Sequence, residues 1–293
     1  MNTKKIGVLA ILGASIMWAI EPILAKLSYK TSDFFHTSAI RALFAALIGL
    51  IYVLITESKS LKVTRKQLSK LVYISLVGTL TADLLYFFAL TKTSVINAVL
   101  IGHMQPIFIV LIGFFILKDD ILTKFDYTGI IIMILAGILV TTREISNISK
   151  LRFGNIGDLF VLFATFAWAT TAIVMRKYLK NMNAGTLTFY RFSIASIVFG
   201  VYLLFTSSKF ILNIFQILIG VIVGVGTILY YEGLKRIKAA QVSSLELSTP
   251  FFAALLGFFI LGETVTIIQI FGIILMFTGV YFLSRKEQNF PRP

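Results

Sequence analysis

Residues 7–19 read GVLAILGASIMWA, and residues 157–169 read GDLFVLFATFAWA. The two stretches align without a gap, and Trp18 and Trp168, which are the only two tryptophans of the chain, occupy the same place in them. Such self-similarity between distant parts of one chain indicates an internal repeat. The fold is therefore predicted to contain two copies of one unit.

Two further blocks return in the same order. LLYFFAL at residues 84–90 corresponds to ILYYEGL at 228–234, and PIFIVLIGFFILKDD at 106–120 corresponds to PFFAALLGFFILGET at 250–264, with GFFIL identical. Chance is a poor explanation for several blocks that recur in one order. The repeat therefore extends over most of the sequence.

The composition places both copies in a membrane. Of the 293 residues, 58% are hydrophobic and only 14% are charged, and there is no cysteine. A soluble domain of this size does not need so much apolar surface, whereas apolar runs of about 20 residues cross a bilayer as α-helices. We predict an all-α integral membrane protein with ten transmembrane helices. Their approximate positions are residues 6–28, 34–56, 69–91, 95–117, 124–143, 155–177, 184–206, 211–234, 239–261 and 266–284.

The basic residues predict the orientation. The amino terminus, the even-numbered loops and the carboxyl-terminal tail hold 18 lysines and arginines, the odd-numbered loops hold seven, and two lie inside helices. Because cytoplasmic loops carry an excess of Lys and Arg, both termini are predicted to be cytoplasmic. The net charge of +14 is then explained mostly by topology, and a nucleic-acid partner is not predicted.

Each repeat holds an odd number of helices. We expect one five-helix repeat over residues 6–143, a second over residues 155–284, and a cytoplasmic tail over residues 285–293. With five helices per copy, the second copy enters the membrane from the opposite face, so the repeats are inverted. Inverted repeats are typical of secondary transporters, which alternate access around a site near the midplane.

Several features together resemble the drug/metabolite transporter superfamily, EamA type, over residues 6–284. These are the Trp-to-basic spacings Trp18 to Lys26 and Trp168 to Arg176, the in-helix Arg41 and Arg191, and the two P…GFFIL blocks that each end in an acid, Asp119 or Glu263. The resemblance implies a ten-helix carrier with a central cavity. It also implies export of amino acids or other small metabolites without ATP.

Four ionisable residues inside the predicted helices have no counterpart in the other repeat. These candidates for substrate or proton binding are Glu21, Asp83, His103 and Glu246, which face Thr171, Thr227, Leu247 and Gly102. A charge at the bilayer centre costs roughly 2.5 to 3.5 kcal/mol on insertion scales, so such residues usually face a cavity or the protein interior. An alternative for Glu21 and Asp83 is a buried ion pair with one of the in-helix arginines, and for His103 a packing contact.

Residues that match between the repeats are predicted to serve the shared fold. The structural basic residues are Lys26 with Arg176, and Arg41, whose counterpart Arg191 could also hold a substrate carboxylate. Glu232 lies near its helix end and is expected to reach water. The residues predicted to line the cavity are Trp18, Tyr86, Gln105, Trp168, Arg191, Tyr230 and Ser243.

These features predict a carrier of small-molecule substrates in the cell membrane, in contact with membrane lipid and with possible proton coupling. The preferred substrate class is amino acids or related metabolites for export. Proton-coupled efflux of cationic drugs or polyamines remains an alternative, as does a non-transporting structural or receptor-like membrane protein. An enzyme is not predicted, because the chain lacks HExxH, cysteine and a GxSxG triad, and no cofactor or metal site is predicted.

Overall fold

The computed structural model describes residues 3–117, 123–142, 147, 154–179, 181–206, 211–237 and 239–284, and all regular structure within these ranges is helical. Asp119 and the predicted tail at 285–293 lie outside the described residues. The helices before residue 150 are α1 (Thr3–Ser28), α2 (Phe34–Glu57), α3 (Arg65–Ala89), α4 (Val95–Gly102), α5 (Gln105–Ile112) and α6 (Lys124–Thr142), with a short 3₁₀ turn at Ser58–Leu61.

The second half of the chain follows the same plan. Its helices are α7 (Ile156–Tyr178), α8 (Ala184–Phe205), α9 (Ile214–Arg236), α10 (Ala239–Glu246), α11 (Ser248–Leu256) and α12 (Ile267–Ser284). The identical GFFIL segments extend α5 and α11 by a wide π-type turn at Gly113–Leu117 and Gly257–Leu261. The same local sequence therefore produces the same local backbone in both halves.

Length and composition make this a multi-pass membrane protein. Counting α4 and α5 together, eight helical segments of the described residues are long and apolar enough to cross a membrane. Two shorter apolar segments, Ser248–Leu261 and Ile267–Leu283, complete the second half. Many large apolar side chains point outward, which suits contact with lipid tails rather than with water.

Corresponding helices begin with corresponding caps. Thr64 and Gln67 form a reciprocal capping box at the start of α3, and Asn213 and Gln216 form one at the start of its counterpart α9. A capping box satisfies two backbone N–H groups that the first helical turn leaves unpaired. The repeat is thus preserved in the hydrogen bonding of the helix starts, although the cap residues themselves differ.

The fourth and ninth predicted spans are each interrupted once. α4 gives way to α5 at His103 and Met104, and α10 gives way to α11 at Leu247. Pro106 and Pro250 lie in the first turn of the second segment in each case, where a missing N–H costs nothing. Pro22 instead lies inside the uninterrupted α1.

The two halves pack against each other in a reciprocal pattern. α1 packs on α9, and its counterpart α7 packs on α3; α4 packs on α7, and α10 and α11 pack on α1. The largest of the other contacts pair equivalent helices directly, α2 with α8 and α6 with α12, and α2 also packs on α9. Most of the buried core therefore lies between the halves.

Glycines permit the close approach of the equivalent helices. A Cβ added at Gly49 of α2 would lie 2.6 Å from the backbone N of Phe189, and one at Gly185 of α8 would lie 2.9 Å from the Gly49 carbonyl oxygen. At the other interface, a Cβ at Gly129 would lie 3.0 Å from the Gly279 carbonyl oxygen. Small residues let membrane helices pack backbone to backbone.

Candidate functional site

A cavity of about 190 Å³ lies between the two halves. Both halves contribute to its wall. Of the residues singled out from the sequence, the wall contains Trp18, Glu21, Arg41, Asp83, Tyr86, His103, Gln105, Trp168, Arg176, Arg191, Tyr230 and Glu246. Lys26 lies elsewhere, and the side chain of Ser243 lies outside the described residues.

Arg41 joins two of the unmatched acids. Its Nε donates to Glu21 Oε1 at 2.6 Å, and its Nη1 donates to Asp83 Oδ2 at 2.9 Å. All three side chains are buried, and the guanidinium also lies 4.9 Å from the centre of the Phe87 ring. Burial in a medium of low polarity strengthens such charge-assisted hydrogen bonds.

Asp83 is the shared acceptor of this group. Arg191 Nη2 donates to its two oxygens at 3.3 and 3.2 Å, and Trp168 Nε1 donates to Oδ1 at 2.7 Å. Arg191 Nε donates to Thr79 Oγ1 at 2.9 Å. We call Glu21, Arg41, Asp83, Arg191 and Trp168 the Asp83 network.

The Asp83 network bears on the alternatives that the sequence left open. Glu21 and Asp83 both lie on the cavity wall and both take part in ion pairs with the in-helix arginines. The Asp83 carboxylate is held by two arginines and an indole N–H, which leaves it little capacity for a ligand. Removing one partner from such a buried network is expected to be costly.

The aromatic residues of the wall form two pairs. Tyr86 and Trp168 have ring centres 5.3 Å apart at an interplanar angle of 54°, and Trp18 and Tyr230 have ring centres 4.9 Å apart, also at 54°. Trp18 corresponds to Trp168 and Tyr86 to Tyr230 in the repeat. The two pairs are therefore equivalent elements of the duplicated fold, and each combines residues from both halves.

The helix breaks bring His103 and Gln105 to the cavity. His103 is the residue at which α4 ends, and its Nδ1 lies 2.7 Å from the Val99 carbonyl oxygen, to which it donates a hydrogen bond. Gln105 begins α5. Freed backbone and polar side chains at membrane depth are tolerated where they line a cavity.

Glu246 and Arg176 differ from the Asp83 network. No hydrogen bond or ion pair of the Glu246 carboxylate is present among the described residues, although Arg176 is near enough to attract it electrostatically. In the same described part of the chain, Arg176 Nε is buried without a hydrogen-bond partner. Tyr230 interacts electrostatically with both side chains.

Lys26 contacts the second half of the chain at one end of the bundle. Its Nζ donates to Glu263 Oε1 at 3.3 Å, and the backbone N–H groups of Val95 and Ile96 donate to the same carboxylate at 2.9 and 3.2 Å. The carboxylate thus sits at the amino-terminal end of α4, where the helix dipole favours negative charge. We call Lys26, Glu263, Val95 and Ile96 the Glu263 bridge.

A second buried polar group lies at the same end. Asp158, near the start of α7, accepts hydrogen bonds from Thr93 Oγ1 at 2.6 Å and Asn97 Nδ2 at 3.2 Å. Gln269 of α12 donates to Asn97 Oδ1 at 2.7 Å. Helices of both halves are therefore linked here by satisfied polar groups.

Glu232 lies at the end of α9 and forms ion pairs with Lys235 and Arg236. Among the residues that the structure describes, no three His, Asp or Glu side chains cluster in a way that could hold a metal ion.

Three residues with buried polar contacts were missing from the sequence-based set of site residues. Asp158 could have been found from the N-x-x-D spacing with Asn155, which is a helix-start pattern. Glu263 was noticed only as the acid that ends a repeated block. Thr79 precedes Asp83 by four residues, so helical spacing places both on one face, but its contact with Arg191 depends on how two helices are rotated.

Comparison with known proteins agrees with the duplicated helical fold. The profile of the EamA-like transporter family matches residues 5–142 and again residues 155–285. A crystal structure that shares only 16% sequence identity superposes with a TM-score of 0.69 and covers 94% of this chain and 95% of the other. That similarity concerns the fold alone.

The curated relatives are named as transporters without a stated substrate. The uncharacterized transporter sll1164 of Synechocystis sp. is 31% identical over 233 residues, and the alignment covers 74% of this chain and 66% of that protein, just under two thirds of its length. The uncharacterized transporter YyaM of Bacillus subtilis is 26% identical over 285 residues, with 94% and 92% covered. Because the family profile matches both halves, the chain belongs to the EamA-like transporter family.

Proposed function

We propose that this membrane transporter is a secondary carrier that exports amino acids or related small metabolites by alternating access. The observation that carries the proposal is a cavity with charged side chains in its wall, which is built by both halves of a duplicated bundle. A site between two repeats can be exposed to either side when one repeat rocks against the other. No catalytic step is part of the proposal.

The proposed topology has ten transmembrane helices in two inverted five-helix repeats, with both termini cytoplasmic and the protein in the cell membrane. Eight long and two shorter apolar helical segments among the described residues support ten transmembrane helices. The odd number of helices per repeat supports the inversion, and the distribution of Lys and Arg supports the orientation.

The size of the cavity supports a small substrate. Its volume of about 190 Å³ is below the roughly 300 to 1,000 Å³ of pockets that hold drug-sized ligands. A single-ring or aliphatic metabolite suits such a space better than a large drug.

The charge balance supports a substrate without excess positive charge. Among the described residues the cavity wall holds three acids, Glu21, Asp83 and Glu246, and three arginines, Arg41, Arg176 and Arg191. A site for cations needs uncompensated negative charge, because a buried cation must be neutralised. With neutral His103 the wall carries no net charge, which fits a zwitterion.

Efflux of cationic drugs or polyamines is the second candidate, favoured by Glu246, which has no ion pair with any residue that the structure describes. It predicts that protons and a cationic substrate compete for the same acids. Unchanged affinity for polyamines in Glu21→Gln and Asp83→Asn would argue against it. A structural or receptor-like role predicts no substrate-dependent flux at all.

Counterflow in proteoliposomes tests the proposal. Vesicles containing the purified protein are loaded with single unlabelled amino acids, and the entry of the same labelled amino acid is followed. We expect uptake above that of protein-free vesicles for a subset of amino acids and none for spermidine. Counterflow needs no driving gradient, so the result is independent of the coupling ion, and an imposed proton gradient then tests proton coupling separately. Flux of spermidine without flux of any amino acid would contradict the proposal.

A further inference from the structure

The two equivalent aromatic pairs differ in what surrounds them. Beside Tyr86 and Trp168 the acid is Asp83, which is occupied by the indole N–H and two arginines. The counterpart of Asp83 beside the other pair is Thr227, which carries no charge. The duplicated fold therefore provides two similar aromatic surfaces. Beside the first, Asp83 is bonded by protein groups, and beside the second the equivalent position is an uncharged threonine.

The charges near the second pair come from other helices. Arg176 of α7 and Glu246 of α10 line the same cavity as Tyr230 of α9. α1 approaches the same segment, because Ser15 Oγ donates to the carbonyl oxygen of Leu245 at 3.4 Å. We call Trp18, Arg176, Tyr230 and Glu246 the Trp18 site.

The Trp18 site contains one acid and one arginine, each with hydrogen-bonding atoms that have no partner among the described residues. Among the described residues Glu246 has no ion pair, and Arg176 has a buried Nε without a partner. Lys26, the repeat counterpart of Arg176, is instead bonded to Glu263. Both side chains are partly exposed on the wall of the cavity. A charged group in such surroundings is costly unless it is paired and hydrogen-bonded, so a ligand that supplies both missing partners is favoured.

We infer that the Trp18 site binds the charged head of an α-amino acid, with the carboxylate at Arg176, the ammonium at Glu246, and an apolar or aromatic side chain against Trp18 and Tyr230. Guanidinium groups match carboxylates as hydrogen-bond donors. The face of an indole ring attracts an ammonium group and packs on apolar groups. This assignment rests on the proposed function and names the residues that recognise its substrate.

Three ligands with the same ring separate the two charged contacts. L-phenylalanine carries both charges, phenethylamine lacks the carboxylate, and 3-phenylpropanoate lacks the ammonium. Binding of each ligand to purified full-length protein in lipid nanodiscs is measured by calorimetry. We expect L-phenylalanine to bind about tenfold or more tightly than either of the others, since each charged hydrogen bond contributes at least that factor.

Variants then assign each contact. Arg176→Gln is expected to lower the affinity for L-phenylalanine by about tenfold and to leave that for phenethylamine unchanged. Glu246→Gln is expected to lower the affinity for L-phenylalanine by a similar factor and to leave the affinity for 3-phenylpropanoate unchanged. Lys177→Gln, next to Arg176 but exposed, and Glu232→Gln, at the end of α9, are matched controls that should bind all three ligands as the wild type does.

Two results would overturn the assignment. One is wild-type protein that binds phenethylamine as tightly as L-phenylalanine, because the carboxylate contact would then contribute nothing. The other is an equal loss for all three ligands in both variants, because that reports a deformed cavity. The wild-type comparison alone decides the first point, even if a variant does not fold.

Counterflow with the same proteins separates this inference from the proposed function. If the wild type exchanges amino acids and both variants keep its affinity for L-phenylalanine, the assignment of Arg176 and Glu246 is wrong and the proposed function stands. If the wild type neither exchanges nor binds any amino acid, the proposed function fails together with the inference.

Discussion

Asp83 is the residue on which most polar contacts of the cavity converge. Replacing it with Asn keeps the shape but removes the negative charge that faces Arg41 and Arg191. Among the described residues Arg41 then keeps Glu21 as its ion-pair partner, and Arg191 keeps none. We expect Asp83→Asn to lower the stability of the detergent-solubilised protein by roughly 1 to 3 kcal/mol. The measurement is the midpoint of thermal unfolding.

Glu232→Gln is the matched control for this change. It removes a carboxylate from pairs with Lys235 and Arg236 at a helix end. Pairs of this kind contribute about 0.5 kcal/mol. If both variants lowered the midpoint equally, the Asp83 network would have no special part in stability.

The residue types of the cavity could be predicted from the sequence, but their pairing could not. Charges within apolar segments identify Glu21, Asp83 and Glu246, because such residues must face protein or a cavity. Which arginine meets which acid depends on the rotation and depth of each helix. A sequence does not determine those two quantities. It therefore cannot distinguish Asp83, which has two arginine partners, from Glu246, which has no ion pair among the described residues.

At the scale of elements, Gly220 determines how closely α9 approaches α2. A Cβ at this position would lie 2.4 Å from Phe44 Cβ and 2.9 Å from the Arg41 carbonyl oxygen. We expect Gly220→Ala to lower the free energy of unfolding by about 1 to 3 kcal/mol, because the helix that carries Arg41 must move outward. Thermal unfolding measures the cost, and counterflow measures the effect on transport.

Gly200 of α8 provides the control, since a Cβ there has no other atom within 4 Å. Gly200→Ala should leave stability unchanged or raise it by a few tenths of a kcal/mol, as Ala is the better helix former. A similar loss in both variants would show that close packing at Gly220 does not explain the effect.

The helices themselves were largely predictable, because each apolar run is long and bounded by polar residues. The interruptions at His103 and Leu247 were not, although proline pointed to a nearby disturbance. Proline is compatible with the first turn of a helix, and it also bends a helix when it lies in the interior. Pro106 and Pro250 alone therefore do not distinguish a break between two helices from a kink within one. Pro22, inside an unbroken helix, illustrates the other outcome.

For the whole molecule, the proposed cycle requires the end that holds the Glu263 bridge to open. The chain has no cysteine, so Lys26→Cys combined with Glu263→Cys creates the only two thiols. A reducible bifunctional thiol reagent that joins them should lower counterflow at least tenfold, because alternating access is blocked, and reduction should restore it. Flux that persists in fully joined protein would contradict an opening at this end.

The duplication was the most predictable feature at this scale. Three sequence blocks in one order were enough to expect two similar halves, and the equivalent aromatic pairs follow from the register of Trp18 with Trp168 and of Tyr86 with Tyr230. The reciprocal packing of the halves was not predictable in detail. It depends on which apolar faces meet, and nearly every face of these helices is apolar.

The positions of the two tryptophans have a consequence for spectroscopy. Each belongs to a different aromatic pair on the cavity wall, and within the described residues only Trp168 has its indole N–H bonded to a carboxylate. A Trp168→Phe chain would carry one emitter beside Tyr230, and a Trp18→Phe chain one emitter beside Tyr86. Two label-free proteins would thus report separately on the two aromatic pairs of a single cavity.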